Sequence, residues 1–172
     1  MIVLTPFQPA DFDRLIKWID SKELLITIAG NVWSYPVTVA QLQRYLDDPK
    51  SHSFNIVETT NNVVIGHAEI ILGDDGTCKI DKLLVNPSYR GKGLCVTVMN
   101  ELLQYAFNKF PVHTVELNVF DWNTAGIRCY EKTGFSINHG KTQTFPLGDK
   151  TWTAKNMSMT RENFLSRNLK AF

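Results

Sequence analysis

Residues 83–95 constrain the fold more than any other part of this 172-residue chain. The segment begins within an apolar run, residues 80–85, which is typical of a buried strand. Pro87 cannot donate a hydrogen bond to a strand ladder, so the strand must stop there. Gly91 and Gly93 follow at the start of a long helical pattern, and glycine lets a ligand approach the backbone closely. The segment therefore predicts a strand, a tight loop and a helix.

The loop has the physical properties of an anion site. The first N–H groups of a helix have no intrahelical partner, and the helix dipole places roughly half a positive charge there. Arg90 and Lys92 add two full charges, so a phosphate or pyrophosphate is the expected ligand. The P-loop string G-x-x-x-x-G-K-[ST] is absent from the sequence, and Val96 stands where a dinucleotide fingerprint has its third glycine.

Composition and charge restrict the kind of partner. The net charge is only +1, so we expect neither nucleic acid nor a membrane surface as a partner. Cys78, Cys95 and Cys129 are far apart and odd in number, which predicts no disulfide framework and no metal site. The first residues lack a signal-peptide pattern, and no apolar run approaches the length of a membrane span. We therefore expect a single domain, residues 1–172, located in the cytoplasm.

The order of the predicted elements gives the fold class. Seven runs read as strands, and a hairpin turn at residues 73–76 joins two of them. The helix after the anion loop lies between strands at residues 77–85 and 112–120, and such a β-α-β unit makes a parallel pair. We expect an α/β (α+β) fold with a mixed sheet of about six to seven strands, largely antiparallel, and about four helices. The tail, residues 161–172, is expected either to dock as a helix or to make an oligomer contact, for example in a homodimer.

A second segment, residues 123–135, reads NTAGIRCYEKTGF. Asn123 and Tyr130 are seven residues apart, about two helical turns, so both are expected on one side of a helix. Gly126 inside that helix costs about 0.8–1 kcal/mol relative to alanine, which predicts that a ligand or a neighbouring strand lies close to it. Gly134 is expected to end the helix.

Both segments resemble those of the GNAT superfamily of N-acetyltransferases. Residues 90–95 are similar to the R/Q-x-x-G-x-G/A loop of that family, with Cys95 in place of the final Gly or Ala. Residues 123–135 are similar to its N-x-x-A/G-x-x-x-Y-E-K-x-G-F segment, and the order of elements extends the resemblance over nearly the whole chain. The resemblance implies a GNAT-like fold and an acyltransferase of the EC 2.3.1 type. Such an enzyme transfers an acetyl group from acetyl-CoA to a primary amine of a small molecule or protein N-terminus, by direct attack in a ternary complex.

The resemblance also implies roles for individual residues. The backbone of Leu83, Leu84 and Val85 would pair with the pantetheine arm of CoA, and Asn123 would contact the same arm. Tyr130 would lie against the cofactor and act as the general acid that protonates the leaving thiolate. The loop that would bind the pyrophosphate consists of Arg90, Gly91, Lys92, Gly93, Leu94 and Cys95.

The acceptor side carries a weaker pattern. Asp81 and Glu69 lie on neighbouring predicted strands, and either carboxylate could act as the general base, directly or through water. A water chain without a dedicated base is the third alternative. Trp33 and Tyr35 are candidates for acceptor contact, or else aromatic residues of the core. The competing function is a sensor or scaffold that binds CoA or an acyl-CoA without turnover, and the presence of Tyr130 speaks against it.

Overall fold

The computed structural model describes residues 1–169, and its strands form one seven-stranded sheet. The strands are β1 Ile2–Pro6, β2 Ser51–Glu58, β3 Val63–Leu72, β4 Thr77–Val85, β5 Thr114–Phe120, β6 Ser136–Leu147 and β7 Lys150–Thr160. Their order across the sheet is β1-β2-β3-β4-β5-β7-β6. Among these described strands, β4 and β5 form the one parallel pair, which confirms the predicted mixed sheet.

Within residues 1–169, six α-helices accompany the sheet: α1 Phe12–Trp18, α2 Lys22–Ala29, α3 Val39–Leu46, α4 Leu94–Lys109, α5 Thr124–Thr133 and α6 Arg161–Leu169. The sequence predicts about four of these helices; α2 is not among them, and α6 is one of the two alternatives given for the tail. The Ser21 hydroxyl begins α2 by accepting a hydrogen bond from the Leu24 backbone N–H, 3.2 Å away. In this described part of the chain, no helix is long and apolar enough to cross a membrane.

Helix α6 docks against the end of α4, which is one of the two predicted alternatives for the tail. The Phe164 ring is buried and lies 5.0 Å from the Phe107 ring of α4. The Arg161 guanidinium donates hydrogen bonds to three backbone carbonyls at and after the end of α4. The bonds to Phe107 and Phe110 satisfy carbonyls at the end of α4, where carbonyls lack an intrahelical partner. Phe172, which the sequence also assigns to the tail, lies outside the described residues.

A gap opens in the middle of the sheet between β4 and β5. The two strands pair only over residues 77–79 and 114–116. Further along β4, Lys82 and Leu83 together stand opposite the single residue Ala68 of β3, which is a β-bulge, and Lys82 has a φ of 48°. Cys78 and Ile80, before the bulge, belong to the main core. The bulge shifts the alternation of the strand, so that Leu84, at an even-numbered position like Cys78 and Ile80, packs on the side of the N-terminal helices.

The two faces of the sheet bury separate apolar clusters. The main core lies under α4, whose buried side chains include Met99, Leu102 and Leu103. The second cluster lies under α1, α2 and α3, and Leu84 of β4 belongs to it. The strand that leads to the anion loop is therefore anchored on both sides of the sheet.

Cys95 at the start of α4 and Cys129 in α5 form a disulfide across a sequence separation of 34. The expectation that the cysteines form no disulfide was therefore wrong. Helices α4 and α5 pack side by side, and this brings together two cysteines that sequence spacing does not pair. Cys78 is free and buried, and burial raises the pKa of its thiol to about 12.

Candidate active site

A cavity of about 580 Å³ lies in the gap between β4 and β5, and we call it the central cavity. The end of α2 and the loop after it form one wall, β4 and β5 form the floor, and the β6–β7 hairpin forms the other wall. Asp81 and Leu83 of β4 line it together with Tyr130 of α5, which is distant from them in sequence. The full lining comprises residues 26–32, 79–83, 117, 118, 120, 130, 143–145 and 154.

The anion loop after β4 has the backbone that such a site needs. Gly91 and Gly93 have φ values of 72° and 73°, a left-handed conformation that glycine adopts without strain. A Cβ at either position would meet no atom within 4 Å, so the loop backbone is open to an approaching ligand. Gly93 stands at the N-cap of α4, and the unpartnered N–H groups of the first helical turn follow it directly. This arrangement fits a pyrophosphate.

The two cations of the loop are held differently. The Arg90 Nε donates a hydrogen bond to the Val85 carbonyl, 2.8 Å away, which fixes the loop to the end of β4. The Lys92 ammonium lies 4.6 Å from the centre of the Tyr89 ring. Because Arg90 already bonds the Val85 carbonyl, a ligand that pairs with the end of β4 meets a partly satisfied group there.

The remaining loop residues face the protein. Leu94 and Cys95 are partly buried against the main core. The disulfide from Cys95 ends on Cys129, whose neighbour in α5 is Tyr130. The anion loop and the helix that carries Tyr130 are thus covalently linked.

Tyr130 lies on the wall of the central cavity. Its ring packs edge-on at 6.2 Å from the Phe135 ring. Burial raises the pKa of the phenol to about 12, so the hydroxyl keeps its proton at neutral pH. A protonated hydroxyl in this place can donate a proton to a reacting group.

Asn123 is the N-cap of α5. Its Oδ1 accepts a hydrogen bond from the Gly126 backbone N–H, 3.0 Å away. A Cβ on Gly126 would lie 2.6 Å from the Asn123 Nδ2. The glycine therefore leaves room for the capping side chain, which is neither of the two explanations that the sequence offered. Asn123 is not among the residues that line the central cavity, and its expected contact with a pantetheine arm stays a prediction.

The two candidate bases face different cavities. Asp81 lines the central cavity with Tyr130, and its Oδ2 lies 3.3 Å from the Lys79 Nζ and 3.8 Å from the Lys82 Nζ. The Glu69 side chain is 2% exposed, pairs with the Lys82 ammonium, and lines a second cavity of about 590 Å³. Burial raises the pKa of Glu69, and the Lys82 ammonium offsets part of that effect.

The second cavity contains a buried cation. The Lys82 Nζ lies 5.3 Å from the centre of the Trp33 ring and 5.0 Å from that of Tyr45. The Tyr45 hydroxyl is 3.1 Å from the His67 Nε2, and burial lowers the pKa of His67 to about 3, so this imidazole is neutral. Sequence reasoning did not predict the burial of Lys82 or its pairing with Glu69, because no local pattern marks a lysine as buried.

The two aromatic residues predicted to contact the acceptor lie apart. Trp33 is buried, lines the second cavity and packs edge-on against Tyr45 at 5.1 Å. Tyr35 is 44% exposed, and its hydroxyl donates a hydrogen bond to the Asp20 carbonyl, 2.9 Å away. Tyr35 lines neither of the two cavities.

Comparison with known proteins decides the family. The sequence model of the Acetyltransferase (GNAT) family matches residues 16–135. The chain belongs to the GNAT family. An uncharacterised N-acetyltransferase of Mycobacterium tuberculosis is 34% identical over 109 residues, which are 63% of this chain and 67% of the relative. The chain is therefore an N-acetyltransferase that depends on acetyl-CoA.

Two solved acetyltransferase structures resemble the fold over nearly the whole length of this chain. The aminoglycoside acetyltransferase AAC(6')-Ib, in complex with coenzyme A and kanamycin, has a TM-score of 0.75 and 26% identity, over 96% of this chain and 98% of its own. The spermidine N-acetyltransferase from Vibrio cholerae, in complex with CoA and spermine, has a TM-score of 0.81. At 18% identity, over 95% of this chain and 98% of its own, the second likeness shows the fold alone.

Sequence reasoning also missed the far wall of the central cavity of this GNAT chain. Phe120 at the end of β5 and Phe145 on β6 line it, with ring centres 5.4 Å apart. Asn118 and Gln143 line it beside them, joined by a hydrogen bond of 3.1 Å. The sheet order places β7 between β5 and β6, so no local pattern could have brought these residues together.

Proposed function

We propose that this GNAT chain acetylates the primary amine of a small molecule or of a protein N-terminus, by direct attack in a ternary complex. One observation carries the proposal most: Asp81 and Tyr130 line one cavity, in the sheet gap beside a strand that leads to an open anion loop. Acetyl-CoA supplies an acetyl group activated as a thioester. This chain must supply the other requirements: a proton acceptor, a proton donor and the alignment of the amine with the thioester.

Asp81 is the better of the two candidate bases. An ammonium must lose a proton before its nitrogen can attack, and Asp81 is the carboxylate that shares a cavity with Tyr130. Glu69 is held by Lys82 and lines the other cavity. Asp81 would accept one proton of the ammonium group, directly or through water, before the nitrogen attacks the acetyl carbon. As the carbon–sulfur bond then breaks, the second proton leaves the nitrogen and restores the Tyr130 hydroxyl, which has given its own proton to the sulfur.

Tyr130 is the proposed acid. Its proton is retained at neutral pH because burial raises its pKa. The hydroxyl would give that proton to the departing sulfur, which leaves as the CoA thiol.

The proposed cofactor contacts follow the geometry of the gap. The peptide groups of Leu83 and Leu84 border it and would pair with the pantetheine arm, while the Val85 carbonyl is shared with Arg90. The loop from Arg90 to Lys92, with Gly93 and the first turn of α4, would bind the pyrophosphate. The glycines at 91 and 93 fit this role, since a larger side chain would project where the ligand approaches.

A thermal-shift titration with acetyl-CoA, CoA and ATP tests the cofactor site. A ligand at 100 times its dissociation constant adds about 2.7 kcal/mol to the free energy of unfolding, which for a domain of this size raises the melting temperature by roughly 5–10 °C. We expect this shift with acetyl-CoA and CoA but not with ATP. Turnover of an amine then separates an enzyme from a CoA sensor. The absence of any shift with either CoA species at millimolar concentration would refute the site.

The cytoplasm stays the proposed compartment, although the Cys95–Cys129 disulfide forms less readily in a reducing environment. Alkylation of thiols in intact cells, followed by mass spectrometry, tests both points. A cytoplasmic chain is expected to show these two cysteines largely reduced.

A further inference from the structure

The charge of the central cavity limits what its acceptor can be. Among the lining residues, all of which lie in the described part of the chain, Asp81 is the only carboxylate. Two ammonium groups lie beside it, those of Lys79 at 3.3 Å and Lys82 at 3.8 Å. Glu69 compensates the charge of Lys82 from the other side, so Asp81 and Lys79 leave the central cavity without a surplus of negative charge. Asp81 can face one ammonium group of an acceptor, and no other carboxylate of the lining is available for a second one.

The second cavity does not supply the missing negative charge. Its two carboxylates are Asp48 and Glu69, and its two cations are Arg44 and Lys82. Glu69 is already paired with Lys82. An elongated acceptor that reached from one cavity into the other would find no surplus of carboxylates along its path. Placing like charges together is how binding sites reject the wrong ligand.

The far wall of the central cavity is apolar. Phe120, Ile26 and Ala154 form a small buried cluster there, separate from the two main clusters, and Phe145 packs against it. Behind Phe120, the Trp122 ring is stacked at 5.7 Å and the Trp152 ring lies edge-on at 5.2 Å. A flat apolar group is the natural partner for such a wall, because aromatic rings pack favourably face to edge or offset.

The wall is held in a fixed position. Gly30, at the end of α2, has a φ of 56°, and a Cβ there would lie 2.8 Å from the Phe145 ring. This close approach joins the two walls of the cavity. At the floor, the Asn118 Nδ2 donates to Gln143, and the Asn118 Oδ1 accepts from Asn156, 2.9 Å away. The side-chain amides on the β5 side of the floor are thus neutral and already paired with one another.

We infer that the acceptor is a small primary amine with a single positive charge and an aromatic or similarly flat apolar body. Its ammonium group approaches Asp81, and its body packs on Phe120 and Phe145. This inference rests on the proposed acetyl transfer and names its substrate class. It sets this chain apart from relatives whose solved structures contain kanamycin or spermine, both of which carry several amines.

The test compares kcat/KM for four amines at saturating acetyl-CoA, measured by release of the CoA thiol: 2-phenylethylamine, butylamine, spermidine and kanamycin. We expect the value for 2-phenylethylamine to exceed the other three by about 10-fold or more, since burial of a ring contributes a large apolar area. Butylamine controls for the ring, and the two polycations control for charge.

Two variants assign the preference to named residues. Phe145→Leu is expected to lower the ratio of kcat/KM for 2-phenylethylamine to kcat/KM for butylamine by about 5-fold, because the packing of one ring on another is lost. Asn118→Asp places a second carboxylate in the cavity and is expected to raise kcat/KM for spermidine relative to 2-phenylethylamine by about 10-fold, through charge complementarity. Phe110→Leu, a matched control outside the cavity, is expected to change neither ratio.

The outcomes separate this inference from the proposed function. If spermidine or kanamycin is the best acceptor of the wild-type protein, the inference is overturned while acetyl transfer stands. The inference is also overturned, with acetyl transfer unaffected, if Phe145→Leu lowers kcat/KM equally for all four amines. If no amine of the panel is acetylated, the inference is overturned, and peptides with a free N-terminal amine then test whether the proposed transfer stands.

Discussion

The buried ion pair between Glu69 and Lys82 offers the sharpest test of the energetics. Both side chains are almost completely buried, at 2% and 3% exposure. Removing one partner of such a pair leaves a charge in a medium of low polarity, which costs about 3–5 kcal/mol. In Glu69→Gln the Lys82 ammonium keeps Asp81 at 3.8 Å and two aromatic rings near 5 Å, so we expect the lower end of that range, about 3 kcal/mol.

Urea unfolding followed by tryptophan fluorescence measures the change. A loss of about 3 kcal/mol corresponds to a fall of roughly 6–12 °C in melting temperature for a domain of this size. Asp74→Asn is the matched control, because it removes the same charge from an exposed pair with Lys50. We expect that variant to unfold at the wild-type urea concentration within error.

A double variant completes the cycle. In Glu69→Gln with Lys82→Met no buried charge remains, so the double variant should lose less stability than the sum of the two single variants. If Glu69→Gln is as stable as the Asp74→Asn control, or if the two single effects add, the pair is not desolvated as its burial implies and the reasoning is refuted.

Four further predictions concern the site and its supports. Tyr130→Phe should lower kcat by about 100-fold while the thermal shift with acetyl-CoA stays the same, since the hydroxyl acts as an acid; because its pKa is about 12, this group should cause no loss of rate up to pH 10. Gly93→Val should abolish the thermal shift with acetyl-CoA, because valine is strained at a φ of 73° and projects into the loop. Replacing Cys95 and Cys129 together by alanine should lower the free energy of unfolding by about 4 kcal/mol, from the separation of 34 residues that the bridge closes. His67 has a pKa of about 3 in the fold, against an ordinary value of 6.5, so between these pH values the unfolded chain binds a proton that the folded chain does not. The contribution of His67 to the free energy of unfolding is therefore complete above pH 6.5 and should fall by about 1.4 kcal/mol for each pH unit below 6.5. His67→Leu should lack this slope.

Controls keep these results interpretable. Gly140→Val has a similar backbone strain, at a φ of 81°, and also meets no atom within 4 Å, but it lies on β6 away from the loop. It should keep the shift with acetyl-CoA; if it loses the shift as Gly93→Val does, the loss reflects general strain rather than the anion site. Unchanged turnover in Tyr130→Phe would remove that residue from the catalytic set, and equal pH slopes in wild type and His67→Leu would show that another group titrates.

Local sequence patterns predicted the parts of the site that are continuous in the chain. The loop with Gly91 and Gly93, the helix with Tyr130 and the parallel pair between them follow from spacing and from the β-α-β rule, and the structure places all of them in order. Helix α2 escaped detection because its apolar residues face two clusters: Leu25 packs into the N-terminal one and Ile26 packs beside Phe120. A helix that is buried on two sides lacks the single apolar face whose regular spacing predicts a helix from the sequence.

Contacts between distant segments could not be read in this way. The Cys95–Cys129 disulfide depends on how two helices pack, and the wall of Phe120 and Phe145 depends on β7 lying between β5 and β6. The burial of Lys82 depends on a bulge that turns its side chain to the other face of the sheet. Each of these features is a property of the tertiary arrangement, and each lies at the cavity or next to it.

The disulfide also has a mechanical consequence. Strands β4 and β5 diverge at the gap, and each is followed by the helix that carries one end of the bridge, α4 after β4 and α5 after β5. The two strands are joined directly by their short pairing at residues 77–79, and beyond the gap the disulfide joins the helices that follow them. While the disulfide is intact, the two halves of the sheet can move apart only as far as the linked helices allow. Reduction of the disulfide should allow the two halves of the sheet to move more independently. Amide hydrogen exchange of residues 80–85 and 117–120 should then become faster.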